Sequence, residues 1–247
     1  MKKRILSLLT AAVLLMLLPL SLAGADGASY WDAESRSFMY QEPRYGIVIC
    51  RQMNVRNTAS TGGTSYGSIK NGQPVKILGV SENNDFYVLD LESCGFAGQY
   101  PGAYGYAKAS LIKMDPSFIA TSKLINLYAT PWSTEKKNGE QTNRFFLIID
   151  QYNDWFAVQA MESSPGTAFI RARDVSPFSN SYSMYVVTWD APLLDESTWA
   201  QFSSVKRYTT CSLFNVSGDY SLIVFNEGTA SEMRGWINSQ YIAPIYN

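Results

Sequence analysis

The sequence predicts an all-β protein built from three small barrels in tandem. Three observations carry that expectation: a motif that returns three times, turn dipeptides between short β-type runs, and no helical period in any segment after the N-terminus. The motif is an Asp, an aromatic residue and an apolar run. It reads Asp85-Phe86-Tyr87-Val88-Leu89, Asp154-Trp155-Phe156-Ala157-Val158 and Asp219-Tyr220-Ser221-Leu222-Ile223-Val224. The copies begin at 85, 154 and 219, hence 69 and then 65 residues apart. That interval is too long for a solenoid repeat and suits a small β-domain.

The N-terminus comes first. Met1-Lys2-Lys3-Arg4 is a positive segment, Ile5 to Leu22 is apolar, and Ser21-Leu22-Ala23 or Ala23-Gly24-Ala25 offers a small-residue cleavage pattern. Together they read as a secretory signal peptide over 1–25, removed on export. A single membrane anchor is the competing reading, because the apolar stretch is near the lower limit for spanning. Residues 26–45 lack a clear period. They are expected to be a leader, with Trp31 and Tyr40 packing part of it onto the body.

The first unit is expected over 46–114. Gly46 to Cys50 is a buried-strand run, Met53-Asn54-Val55-Arg56 alternates, and a polar, Gly-rich loop follows from Asn57 to Gly67. Asn71-Gly72 is a tight-turn dipeptide. Pro74 to Val80 and Asp85 to Leu91 are strands, and Gly105 to Ile112 closes the unit after a Gly- and Tyr-rich loop. The second unit, 118–176, has Ile125-Asn126-Leu127-Tyr128 in the Met53 slot, a strand from Arg144 to Ile149, and Ala168 to Val175 at its end. Lys136-Lys137 around Asn138-Gly139 reads as a solvated hairpin tip. The third unit, 182–247, opens with Met184 to Trp189, places Ala191-Pro192-Leu193-Leu194 in the same slot and closes with Gly235 to Ile242. Asp115-Pro116-Ser117 and Ser176-Pro177-Phe178-Ser179-Asn180 are the junctions.

Composition limits the chemistry. Loss of Lys2, Lys3 and Arg4 with the signal peptide moves the formal charge from −1 to −4, since no acid precedes Asp26. A weakly acidic chain without a basic block is a poor nucleic-acid binder. At 14% aromatic and 17% charged residues the chain suits β-structure rather than disorder. Histidine is absent, which excludes Ser-His-Asp and Cys-His catalysis as usually built and His-containing zinc sites. Cys50, Cys94 and Cys211 contain no Cys-x-x-Cys, so no metal site is expected of them. Cys50 and Cys94 could pair after export, or all three could be small apolar fillers.

The first unit resembles the bacterial SH3-like (SH3 type 3) domain family. The residues that carry the likeness are Asn54-Val55-Arg56, the loop Thr58 to Ser68, Gly72 to Leu78, Asp85 to Val88, and Gly105-Tyr106-Ala107 with Leu111-Ile112. The third unit keeps the ending as Gly235-Trp236-Ile237 and Tyr241-Ile242 but lacks Asn-Val-Arg. The second keeps Asn126-Leu127 and Trp155 but ends in Ala168-Phe169-Ile170. The resemblance implies three SH3-like β-barrels, a secreted or cell-wall-associated location, and binding of a bacterial wall peptide or glycan. It implies neither catalysis nor a cofactor.

No appended hydrolase is visible, and the acid pairs Asp32/Glu34 and Asp195/Glu196 read as solvated turn residues rather than an acid–base dyad. No catalytic or metal-binding residue is therefore assigned. The binding candidates are Tyr66, Tyr100, Tyr104 and Tyr106 in Gly-rich surroundings, where tyrosine supplies contact area and a hydroxyl at little entropic cost. The competing reading has these rings covering a barrel edge or packing on the second unit. Phe86, Trp155, Tyr220 and Trp236 are read as core. The alternative function is a structural or protein-interaction module on the envelope, with units two and three stacked into a rod that engages another secreted protein. No membrane contact is expected after cleavage.

Overall fold

The structure, a computed structural model, describes residues 29–246 apart from 97, 101–102, 122–124, 142–143, 161–165 and 176–183. The signal peptide expected over 1–25 and the junction at Ser176 to Asn180 lie outside the described residues. The chain is nearly all β, in three antiparallel sheets that follow one another along the sequence.

The first sheet contains β1 (Ser29–Asp32), β2 (Ser37–Val48), β3 (Gln52–Arg56), β4 (Ser65–Lys70), β5 (Pro74–Ser81), β6 (Phe86–Asp90), β7 (Tyr104–Lys108) and β8 (Ile112–Met114). The second contains β9 (Phe118–Thr121), β10 (Ile125–Tyr128), β11 (Lys136–Gln141), β12 (Arg144–Tyr152), β13 (Trp155–Ala160) and β14 (Thr167–Arg171). The third contains β15 (Met184–Val187), β16 (Ala191–Leu194), β17 (Gln201–Val205), β18 (Thr210–Ser217), β19 (Tyr220–Phe225), β20 (Met233–Asn238) and β21 (Ile242–Pro244).

The spatial orders β4-β3-β7-β6-β5-β2, β11-β10-β14-β13-β12-β9 and β17-β16-β20-β19-β18-β15 are the same order of equivalent strands. The recurring motif has a physical basis in that topology. The residue before each motif Asp has a left-handed backbone: Asn84 at φ 61°, Asn153 at φ 51° and Gly218 at φ 56°. Asn and Gly are the residues that tolerate this region best. The motif Asp then accepts, through its backbone carbonyl, the N–H that opens a closing 3-10 turn. Ala109 donates to Asp85 at 2.8 Å, Ala172 to Asp154 at 2.7 Å and Ser239 to Asp219 at 2.8 Å. The aromatic that follows drops into or against its unit: Phe86 and Trp155 are buried and Tyr220 is half-buried.

A close approach explains the Gly of the closing strands. A Cβ on Gly105 would lie 2.4 Å from Val55 Cγ1, and one on Gly235 would lie 2.8 Å from the Leu194 carbonyl oxygen. Here β7 and β20 meet β3 and β16 respectively, so a side chain would push the strands apart.

Two expectations change on folding. The leader is not a separate segment: β1 and the start of β2 form a hairpin, and β2 continues through residue 45 into the first sheet. Lys136 to Gln141 is not a bare tip but the strand β11 paired along β10. Backbone pairing at an edge needs no apolar side chain, so the charged sequence did not reveal it.

Each unit has its own core, gathered around Val55, Ile77 and Leu89 in the first, Phe146, Val158 and Ile170 in the second, and Leu193, Ile223 and Ile237 in the third. A fourth cluster belongs to all three at once. Ile47 from β2 packs with Phe118, Ala120 and Leu147 of the second sheet and with Met184, Val186, Ala243 and Ile245 of the third. A linear rod would not bring these three sources together. The units are further tied by Gln159 donating to Asn71 at 2.8 Å, by the stacked rings of Phe145 and Tyr208, and by the C-terminus. There Tyr246 N–H donates to the Phe118 carbonyl at 2.7 Å, and Ile245 makes a parallel bridge to Phe118. Cys50, Cys94 and Cys211 are all free thiols; Cys94 and Cys211 are buried core members.

Candidate functional site

The four tyrosines proposed from sequence do not form one platform. Tyr66 on β4 packs against the first core and meets Tyr100, with ring centroids 4.3 Å apart. Tyr100 and Tyr104 remain exposed. Tyr106, two residues along β7 from Tyr104, is buried at 7% exposure, and its hydroxyl donates to the Ser35 carbonyl at 3.1 Å. Burial raises its phenol above the ordinary value, partly offset by hydrogen bonds to Ser37 and Ser35. What hides it is the N-terminal hairpin, whose Met39 joins Phe86, Val88 and Tyr106 in a small apolar cluster.

The hairpin also builds one wall of a groove of about 500 Å³ in which Tyr106 lies. Glu34, Ser35 and Arg36 come from the β1–β2 turn, Asn57, Thr58, Ala59 and Ser60 from the β3–β4 loop, and Ser81, Glu82 and Asn83 from the β5–β6 turn. Each wall is braced from behind. The Asp32 carboxylate accepts from the Ser35 hydroxyl at 2.6 Å and from the Ser35 and Glu34 amides, and the Ser35 bond foremost holds its pKa below the usual range. Arg56 donates to the Gly63 carbonyl at 2.5 Å, closing the β3–β4 loop. Ser81 donates to Asn83 at 2.9 Å and accepts the Phe86 amide at 3.0 Å. Arg36 pairs with Glu82 across the mouth at 3.1 Å, with both side chains largely in solvent.

A buried aromatic floor ringed by amides, hydroxyls and charged side chains can hold an extended polar ligand without covalent chemistry. Among the described residues, no group of three or more His, Cys, Asp or Glu converges as a metal site. The second acid pair considered from sequence is also a turn brace. Asp195 Oδ1 accepts from the amides and hydroxyls of Ser197 and Thr198 at 2.8–3.0 Å, and these bonds, the Thr198 amide first, hold its pKa far below the ordinary value.

Of the groove residues, the sequence had singled out Tyr106 as a binding candidate and the β3–β4 segment only as a polar, Gly-rich loop; Glu34, Arg36, Glu82 and Asn83 were not singled out for binding. These come from two separate turns, and only the hairpin on β5 assembles them. The signal that was available was Tyr40, which packs on the first core; Trp31, also expected to pack on the body, is instead exposed and meets Phe38 of its own hairpin.

No family model matches the chain, and no curated protein matches it. Among solved structures, NlpC2 from Trichomonas vaginalis is similar at a TM-score of 0.24 and 8% identity, covering 82% of this chain and 99% of that one. NlpC1 from the same organism is similar at a TM-score of 0.24 and 9% identity, covering 88% of this chain and 100% of that one. At that TM-score neither likeness bears on fold or activity.

Proposed function

We propose that this chain is an exported, non-catalytic binding protein of three SH3-like units that holds a bacterial cell-wall peptide or glycan. The observation that carries the proposal is the groove over Tyr106, with an apolar floor and a rim of amides, hydroxyls and a charged pair. That inventory matches ligands that present many hydrogen-bonding groups along an extended backbone. The repeated motif and the N-terminal segment support the same reading.

Retention of the mature chain on purified peptidoglycan at physiological salt is the test. Asn57→Ala, in a groove wall away from the core, is expected to reduce retention about tenfold, the loss of roughly one good hydrogen bond. Absence of retention by the unaltered chain overturns the proposal.

The alternative, an interaction module on the envelope, is favoured by one observation. Phe202, Phe214 and Val216 on the third sheet are 50%, 66% and 56% exposed. Capture of one partner independently of wall material, lost on Phe214→Ser, would favour it over wall binding.

A further inference from the structure

A second cleft, of about 520 Å³, opens between the first and third sheets and shares no lining residue with the groove. Lys76, Asp90 and Glu92 reach it from β5, β6 and the turn that follows. Asp219, Tyr220 and Tyr241 face them from the third unit. Lys76 Nζ is already held by Asp219 at 2.5 Å. Asp90 and Glu92 form no salt bridge among the described residues, although Asp90 accepts the Glu92 amide at 3.1 Å. Three carboxylates against one ammonium leave the cleft with two uncompensated negative charges.

The acids alone would not define a site. The independent observation is Gln240, which lines the same cleft and is only 8% exposed. Its backbone amide is used by Asn238, but its side-chain amide has no hydrogen-bond partner among the described residues. Its oxygen and nitrogen are not among the buried atoms that lack a partner, so they open into the cleft, where an entering group can pair with them. The side-chain amide has the pairing pattern of a peptide group. Tyr220 and Tyr241 add aromatic surface that can lie against an aliphatic stem or a cation.

We infer that this cleft binds a short peptide, with Gln240 pairing to its backbone and Asp90 and Glu92 receiving a lysine-type ammonium. The site is formed jointly by the first and third units and is incomplete in either one. It stands independently of wall binding in the groove over Tyr106.

Calorimetric titration of the full-length mature chain with acetyl-Ala-Lys-Ala-amide, and with the same peptide acetylated on the lysine nitrogen, tests it. The lysine peptide is expected to bind saturably and the acetylated one about tenfold more weakly, with the difference shrinking as salt rises. Glu92→Gln and Asp90→Asn are surface changes that leave the cores intact, and each is expected to weaken the lysine peptide severalfold. Gln240→Leu is expected to weaken both peptides alike. Equal binding of the two peptides, no heat with either, or unchanged affinity in the Glu92 and Asp90 variants overturns the inference. So does loss of binding in Asn57→Ala, which would move the ligand to the groove.

Discussion

The ammonium of Lys76 on β5 lies 2.5 Å from the carboxylate of Asp219, and the Tyr45 hydroxyl donates to the same carboxylate at 3.2 Å. A motif residue of the third unit is thus the anchor point for two side chains of the first. Burial and the neighbouring carboxylate together raise the Tyr45 phenol well above its ordinary pKa, so it stays a donor across the physiological range. Because the Asp219 side chain is 39% exposed, water screens much of the charge attraction. Asp219→Asn is expected to cost about 1 kcal/mol, with a coupling to Lys76→Met of about 0.5–1 kcal/mol in a double-mutant cycle read by urea unfolding. Strict additivity of the two changes would mean that the contact does not join the units.

The shared cluster makes a second prediction. Leu147 is fully buried between its own sheet and residues of the other two. Leu147→Ala is expected to cost about 2–5 kcal/mol by removing buried methyl groups and leaving a cavity. Since one cluster serves all three units, calorimetry is expected to show one unfolding transition that moves as a whole. Three transitions, with only one displaced, would show that the units are thermodynamically separate.

The motif itself separates backbone from side-chain roles. Asp154 contributes its carbonyl to the 3-10 turn, whereas Trp155 is 3% exposed and meets Tyr128 edge-on, with the Arg171 guanidinium 4.9 Å from its ring centroid. Asp154→Ala keeps the carbonyl and is expected to change stability by no more than about 0.5 kcal/mol. Trp155→Ala is expected to cost about 3–5 kcal/mol. Comparable losses from both, measured by denaturant melts, would assign the carboxylate a role that its surroundings do not suggest.

The buried thiols give the pH dependence. Burial pushes Cys94 and Cys211 up to about 12 each. An unfolded thiol ionises near 8.5, so above about pH 9 the unfolded chain releases protons that the folded chain keeps. Stability is therefore complete below about pH 8.5 and is lost as pH rises toward 12. The same shift leaves only about 1 in 10,000 of each thiol as thiolate at pH 8, so iodoacetamide is expected to label these two only after unfolding. Rapid labelling of Cys94 or Cys211 in the native chain would contradict the buried placement.

Much of this architecture was legible from residues alone. Asn84-Asp85, Asn153-Asp154 and Gly218-Asp219 each announce a left-handed turn into a strand, and the aromatic after each Asp announces a core. These are local signals, set by the backbone preferences of Asn and Gly and by alternation along a strand. Gly105 was legible as part of a closing pattern, but the reason for it, Val55 and Leu91 pressed against its Cα, was not. Tyr106 looked like its neighbours Tyr100 and Tyr104. The covering hairpin made it different, and Ser35 and Tyr106 are 71 residues apart in sequence.

By itself the sequence determined most of the strands and turns and the threefold repetition, because each depends on residues within a few positions of one another. Tertiary structure alone decided that Ile47, Leu147 and Val186 share a core. It also decided that the leader walls a groove, and that Gln240 faces acids of another unit across a cleft. Hydrophobic burial has no direction along the chain. Apolar residues state that a surface must be covered, and only the packed molecule states by what.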